Sequence, residues 1–429
     1  MSMSRAETTP VENRTAPIET DFRKRTLVLL LPAITAMYGV YQGIQQVLLP
    51  AQVEAIDPAS KVTNLAALAV VSSIAGTVAL PLGGAISDRT RSRLGRRTPW
   101  LIGMSIISVG LATVMGMVST FLSLAIVYGL LWFAMNWYQG VVYAIIPDRI
   151  PERLRGTASS VVGLALPLGV LIFVNVVSRT TQQLGYVIVG LGLLATTLLL
   201  VTIDREGPTA GPLEESTASD GSGPRSRRSF WSFFSSFRSL DFSLVFISRI
   251  LFFFGYFAVA SYVFYILTDS IGMENVPAAS AQVAVSTLAT ITTVCQIAAV
   301  AIFGWVADHF NIRKLVVGFS AFGMAVAFAI PLVFPTWAGM LLYAGLMGAS
   351  MGVYFAVDVA VMSLVLPSPG DEGRDLGLLA IATSVPSALA PAVAALLING
   401  TGSYNSLFVF GIAAAVLGGT AVMFVRSVR

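Results

Sequence analysis

The stretch Gly84-Ala85-Ile86-Ser87-Asp88-Arg89-Thr90-Arg91-Ser92-Arg93-Leu94-Gly95-Arg96-Arg97-Thr98-Pro99-Trp100 ends a long apolar run with an acid and then a series of arginines. The pattern returns at Gly304-Trp305-Val306-Ala307-Asp308, with Arg313 and Lys314 behind it. A soluble core helix has no reason to stay apolar for twenty residues and then present an Asp and a cluster of cations. A membrane helix emerging into the cytoplasm does.

Composition agrees. The chain has 429 residues, 55% of them hydrophobic and only 11% charged, and a mean hydropathy of +0.80, whereas a soluble domain carries about 25% charged residues. The apolar runs suit helices crossing a ~30 Å hydrocarbon layer and lack the short apolar/polar alternation of a barrel. Cys295 has no partner in the chain, which excludes an internal disulfide or a cysteine metal site in a monomer. The net charge of +4 says little about nucleic acid, because the cations sit in short juxtamembrane clusters that set topology.

Spans are predicted near 26–50, 63–87, 99–119, 121–146, 157–178 and 184–203, then 242–267, 278–306, 313–333, 337–366, 376–398 and 405–425. The fold class is an all-α membrane protein, twelve helices in two pseudo-symmetric bundles of six. The bundles occupy residues 26–203 and 242–425. Residues 1–25, too charged for a signal peptide, and 426–429 read as cytoplasmic tails. The Gly-, Ser- and Pro-rich segment 204–241 reads as a cytoplasmic linker, with Phe230 to Phe237 lying on the bilayer surface. With both termini inside, only Lys61 and Arg179 fall on the outer side and Arg249 within a helix, as the positive-inside bias requires. The halves match further: the fourth helix ends at Pro147, before Arg155 and Gly156, and the tenth at Pro367, before Arg374 and Gly377. Such a repeat is the plan of a rocking transporter.

These features resemble the major facilitator superfamily over about Arg25 to Val425. The long form of the Gly84 to Trp100 loop is similar to that of the glycoside, pentoside and hexuronide cation symporters and the sucrose-type carriers. The resemblance implies a cytoplasmic gate made by Asp88, Arg89, Arg96 and Arg97, with Asp308, Arg313 and Lys314 as second-half counterparts. The chain departs from that pattern in two ways. The span from Asn64 to Ser87 holds no acid, against sodium coupling by that route, and the fifth helix has Gly163, Pro167 and Gly169 without the Gly-Pro dipeptide of drug/proton antiporters.

Arg249 and Asp358 are the ionisable acid or base side chains well away from a helix end. Arg249 lies eight residues after Asp241 and Asp358 nine before Pro367, so at ~1.5 Å per residue both stand about 12 to 14 Å deep, near the midplane. An unpaired charge there costs several kcal/mol, so an ion pair is expected. A pair that breaks when Asp358 takes a proton would couple proton flow to gating; a static bridge fixing the seventh helix to the tenth competes with that reading.

Helix 1 carries Tyr38, Tyr41, Gln42 and Gln45 at spacings of three and four, and helix 4 carries Asn136, Gln139 and Tyr143 beside Trp137. Uncharged amides, phenols and aromatic faces suit a neutral polyol, with interhelical hydrogen bonding as the competing reading. Tyr256 and Tyr354 can share a face with Arg249 and Asp358 respectively. Tyr262 and Tyr265 lie nearer the outer surface, where Tyr265 reads as an interfacial belt residue. In the eighth helix, Ser286, Thr290 and Thr293 read as satisfying their own backbone, and His309 as gate packing. Pro167 and Pro386 are the expected bends of helices 5 and 11.

The chain is thus expected to be a proton-coupled symporter of a sugar, glycoside or similar neutral polar solute, in the plasma membrane. A proton-driven drug or metabolite exporter is the alternative. No enzyme constellation, cofactor or metal site is expected. The expected partners are the solute, protons and the lipid bilayer, with no nucleic acid and a monomeric state.

Overall fold

The computed structural model describes residues 16–151, 154–206, 237, 239–310, 313–364 and 372–425. Among them are twelve helices long and apolar enough to cross a membrane. They are α1 (Ala16–Gly43, continued by a π-helical turn Ile44–Leu48 and by Leu49–Ile56), α2 (Lys61–Arg89), α3 (Thr98–Met115) and α4 (Phe121–Arg149). Next come α5 (Arg155–Gly169, then a π-helical turn Val170–Val174 and Asn175–Val177), α6 (Gln182–Ile203) and α7 (Leu240–Ala260, then Val263–Tyr265 and Ile266–Gly272). The rest are α8 (Ala281–Phe310), α9 (Arg313–Val333), α10 (Trp337–Leu364), α11 (Glu372–Thr401) and α12 (Asn405–Met423).

The packing has a repeat of six. In the first half α2 packs on α4, α1 on α5 and α6, and α3 on α4 and α6; in the second, α8 packs on α10, α7 on α11 and α12, and α9 on α10 and α12. Each second-half pair is a first-half pair shifted by six helices. Two contacts across the halves, α2 with α11 and α5 with α8, exchange under the same shift. The close pairs rely on missing side chains. A Cβ at Gly140 of α4 would stand 2.4 Å from the carbonyl oxygen of Leu80 in α2, and one at Gly352 of α10 would stand 2.4 Å from that of Gln296 in α8. Glycine lets these backbones touch, as small residues do between membrane helices. Large apolar side chains such as Leu122, Phe319 and Leu396 point outward and are exposed, which suits a surface solvated by lipid rather than water.

Several boundaries differ from the sequence reading. Helix α1 begins at Ala16, ahead of the start expected near residue 26, with Pro17 in its first turn, where the missing N–H costs nothing. Helix α4 does not end at Pro147 but runs to Arg149, and Ile150 N–H still reaches the Ile146 carbonyl at 3.0 Å. Only the bond Pro147 cannot donate is lost. Helix α5 turns π-helical at Val170, three residues after Pro167, whereas α11 stays α-helical through both Pro386 and Pro391. Of the surface stretch expected from Phe230 to Phe237, all but Phe237 lies outside the described residues; Phe237 packs on Phe246 and Phe242, ring centroids 4.8 and 5.5 Å away. The tenth helix is followed to Leu364, so its expected end at Pro367 also lies outside them.

Candidate functional site

Three polar layers run along the long axis. The middle one holds Arg249 of α7 and Asp358 of α10, 9% and 8% exposed. The Arg249 guanidinium donates through Nη1 to Asp358 Oδ1 and through Nε to Thr383 Oγ1 of α11 at 3.0 Å. Tyr354, one turn before Asp358, interacts with both charges. The Phe253 ring lies 5.4 Å from the guanidinium carbon, and Phe252 stacks on Tyr354 at 4.2 Å. An arginine and a carboxylate so enclosed are tolerable only because each satisfies the other. Tyr256 stands two turns beyond Arg249 and packs edge-on against Phe257.

At a similar level, the first half presents an uncharged network. The Tyr38 and Tyr143 hydroxyls are 2.6 Å apart, joining α1 to α4. Tyr41 donates to Gln139 Oε1 at 3.1 Å and meets Trp132 edge-on at 5.1 Å. Gln42 accepts from Gln46 at 2.9 Å, and Gln45 is exposed. Gln45 and Gln46 lie in the π-helical turn Ile44–Leu48 and Gln42 just before it, an irregularity often found at functional sites. Asn136 instead donates to the Trp132 carbonyl one turn back at 2.9 Å, its amide packed against Gly76. Trp137 packs at a tilt on Trp100 of α3 and Phe133, ring centroids 5.1 and 5.8 Å away, and its buried indole nitrogen has no hydrogen-bond partner among the described residues.

The second layer lies at the end where α1 begins and α12 ends, and among the described residues its polar contacts stay within the first half. Arg97, 3% exposed, pairs with Asp88, donates to Ser87 Oγ and pairs with Asp148 of α4 at 2.8 Å. Arg96 reaches the same Asp148 oxygen at 2.9 Å. Arg149 pairs with Asp204 at 2.9 Å and Glu206 at 3.6 Å. Glu206 Oε2 accepts from the backbone N–H of Arg97 at 2.7 Å and of Thr98 at 3.1 Å, a carboxylate cap on α3. Arg89 is exposed. In the second half Asp308 ends α8 and Arg313 and Lys314 begin α9, their side chains outside the described residues; His309 stacks on Trp305 at 5.1 Å.

The third layer closes the opposite end, and it joins the halves. Lys61 of α2 bonds to Glu54 at 2.6 Å and to Asp269 at the end of α7 at 2.7 Å, above the Tyr265 ring at 4.9 Å. Tyr404 donates to Asp269 at 2.7 Å. Burial, then the bond to Asp269, holds the Tyr404 phenol protonated above its usual range. Tyr262 donates to the carbonyls of Val62 and Pro391, both at 3.0 Å, and Tyr265 to that of Pro50 at 3.1 Å. Ser178 donates to Ser286 at 2.9 Å and Asn175 to Thr290 at 2.7 Å. Thus Tyr265 is not an interfacial belt residue: it is fully buried, and the Pro50 carbonyl in the helical end of α1, from the other half, takes its hydroxyl. Ser286 and Thr290 do bond to their own backbone, as expected, yet also accept across the halves.

Sequence reasoning passed over Asp148, Glu206, Asp269 and Thr383. The first two carry a legible signal, the Pro147-Asp148-Arg149 and Asp204-Arg205-Glu206 runs after apolar spans; Thr383, one hydroxyl in an apolar helix, carries none.

Two six-helix halves related by a shift of six, a buried charge pair inside the second half and polar bonds joining the halves at one end define a membrane transporter. The model of the Major Facilitator Superfamily matches residues 29–285 and 245–429, and the chain belongs to that family. Among solved structures it is similar to a variant of the nucleoside transporter NupG, at 14% identity and a TM-score of 0.72, over 93% of this chain and 99% of that one. It is also similar to a POT family transporter in complex with 5-aminolevulinic acid, at 10% identity and 0.69, over 93% and 96%. A bacterial homolog of the human lysosomal transporter Spinster, inward-facing and occupied, shares 15% identity at 0.61, over 94% and 96%. No curated protein matches the sequence.

Proposed function

We propose that this chain is a secondary active transporter that couples proton movement to the symport of a sugar, glycoside or similar neutral polar solute by alternating access. The single observation that carries the reading is the enclosed Arg249 to Asp358 pair, joining α7 to α10, level with the uncharged Tyr38, Tyr41, Gln139 and Tyr143 network of α1 and α4. A neutral ring with several hydroxyls finds donors and acceptors there and meets no net charge, since the pair is self-neutral. A nucleoside, the cargo in the name of one structural neighbour, has a ribose of that kind.

The positive-inside bias puts the termini in the cytoplasm, and with that orientation the closed end is the outer one. The inter-half bonds at Lys61, Tyr262, Tyr265 and Asn175 then belong to an inward-facing state. In this state the Asp88, Arg97 and Asp148 cluster stays within one half; facing outward, it would meet the second half around Asp308, Arg313 and Lys314. The carrier is proposed to act in the plasma membrane as a monomer.

The test is uptake by purified protein in proteoliposomes, with a panel of labelled mono- and disaccharides and nucleosides at two pH values and an imposed pH gradient. Uphill accumulation that collapses with a protonophore is the expected result. Gradient-driven movement out of the acidic side's opposite compartment, with lipophilic dyes but no sugar transported, would favour the exporter reading instead.

A further inference from the structure

Among the contacts of Arg249, a proton can weaken the one to Asp358 and leaves the one to Thr383. Nη1 faces Asp358 of α10, while Nε donates at 3.0 Å to the hydroxyl of Thr383 on α11. The two nitrogens project from different edges of a planar guanidinium, so both bonds fix its plane as well as its position. Phe253 beneath it adds a third constraint.

We propose that Thr383 is the positioning residue of the charge pair: it ties Arg249 to α11, aims the Nη1 edge at Asp358, and remains its partner when the carboxylate is protonated. This inference rests on the coupling role of Asp358 given above. In the unprotonated state the guanidinium links α7, α10 and α11. When a proton from water adds to the Asp358 carboxylate, the ion pair becomes a weaker bond to a neutral acid. The guanidinium keeps its charge and its bond to the Thr383 oxygen. Protonation therefore weakens the tie of Arg249 to α10, where Tyr354 still interacts with it, while α7 and α11, already packed together, stay joined.

Among the residues whose side chains are described, the groups facing the pair are few. Tyr354 comes from the same helix as Asp358, and α11 brings the neutral Thr383. Of the helices packed against α10, α8 carries Cys295, which lies beside Gly345 far along α10, and Asp308 and His309 in its last turns, while α9 brings no acid or base among the residues whose side chains are described.

The experiment needs no solute. The carboxyl C=O infrared band of purified full-length protein in liposomes is titrated with pH, and the Asp358 component is assigned by its loss in Asp358→Asn. In Thr383→Val the midpoint of that component is expected to move toward higher pH by about one unit, part of the one to three units a neighbouring cation contributes; Thr383→Ser should restore it. An unmoved midpoint in Thr383→Val, or one moved toward lower pH, overturns the proposal. If Thr383→Val does not fold, Thr383→Ala and Thr383→Cys serve the same comparison. The coupling reading stands or falls separately, on whether Asp358→Asn still accumulates solute uphill.

Discussion

Lys61 Nζ of the first half lies 2.7 Å from Asp269 Oδ1 of the second and 2.6 Å from Glu54 Oε1 of its own half. One ammonium thus serves two carboxylates, and only one of the two bonds has to break for the halves to part. With Asp269 side chain 32% exposed, the crossing bond is worth on the order of 1 kcal/mol, or about a fivefold change in a two-state equilibrium. Lys61→Gln should raise the fraction of molecules with this end open by roughly that factor. Spin-label distances between Asp57 and Glu274 replaced by cysteine would read it. An unchanged distance distribution would mean that Tyr262, Tyr265 and the helix contacts hold the end without help from the charge.

The middle pair separates a structural role from a functional one by stability against transport. Asp358→Asn leaves Arg249 enclosed without its anion, and is expected to cost about 3 to 5 kcal/mol, seen as a lower melting temperature in detergent. The paired replacement Arg249→Met with Asp358→Leu should recover most of that loss, since apolar groups of similar size need no partner there. It should not recover uphill uptake. Were the double variant to accumulate solute against a gradient, the pair would be a packing device and nothing more.

How far the sequence foretold this structure depends on the range of the interaction. The twelve spans and the repeat were legible because a membrane imposes length and apolarity on each helix separately. Arg249 and Asp358 were legible because midplane charges are costly alone and their depths can be counted from helix ends. Tyr265 was misread because an amphipathic ring near a helix end looks the same whether lipid headgroups or the Pro50 carbonyl take its hydroxyl. Thr383 was invisible for a related reason: it matters through one bond to a distant element, and no local pattern encodes that bond.

The uncharged network predicts a graded effect. Tyr143→Phe removes one hydroxyl from the Tyr38 pair and leaves the ring in place, so the cost to a bound polyol is about 1 kcal/mol, or a fivefold rise in KM, with little change in kcat. Gln139→Ala should act similarly by freeing Tyr41. In contrast Trp137→Phe, at a position packed on Trp100, should change stability and spare KM. A KM shift in Trp137→Phe equal to that of Tyr143→Phe would place the indole in contact with solute after all.

At the turn between α1 and α2, Asp57 accepts from the Ser60 N–H at 3.1 Å and from Asn64 at 3.1 Å. The Ser60 backbone donor leads in holding this carboxyl below its ordinary value. A carboxylate whose pKa falls on folding contributes stability that is present above its unfolded value and disappears as pH drops through the folded one. The melting temperature of the wild type should therefore fall more steeply than that of Asp57→Asn as pH is lowered from about 5 toward 3. Parallel curves for the two proteins would show that the turn gains nothing from ionisation.

Asp148 predicts the largest effect at the terminus-bearing end. It receives both Arg96 and Arg97, and Arg97 is the enclosed one, held besides by Asp88 and the Ser87 hydroxyl. Asp88 is more than half exposed, so water can replace it, whereas nothing can replace Asp148 on the inner side of Arg97. Asp148→Asn should hence destabilise by about 3 kcal/mol and Asp88→Asn by under about 1. Thermal melts of the two single variants and the double would separate these costs. An equal loss from both would mean that Asp88, not Asp148, closes the arginine off from water, and would move the centre of the cluster from α4 to the end of α2.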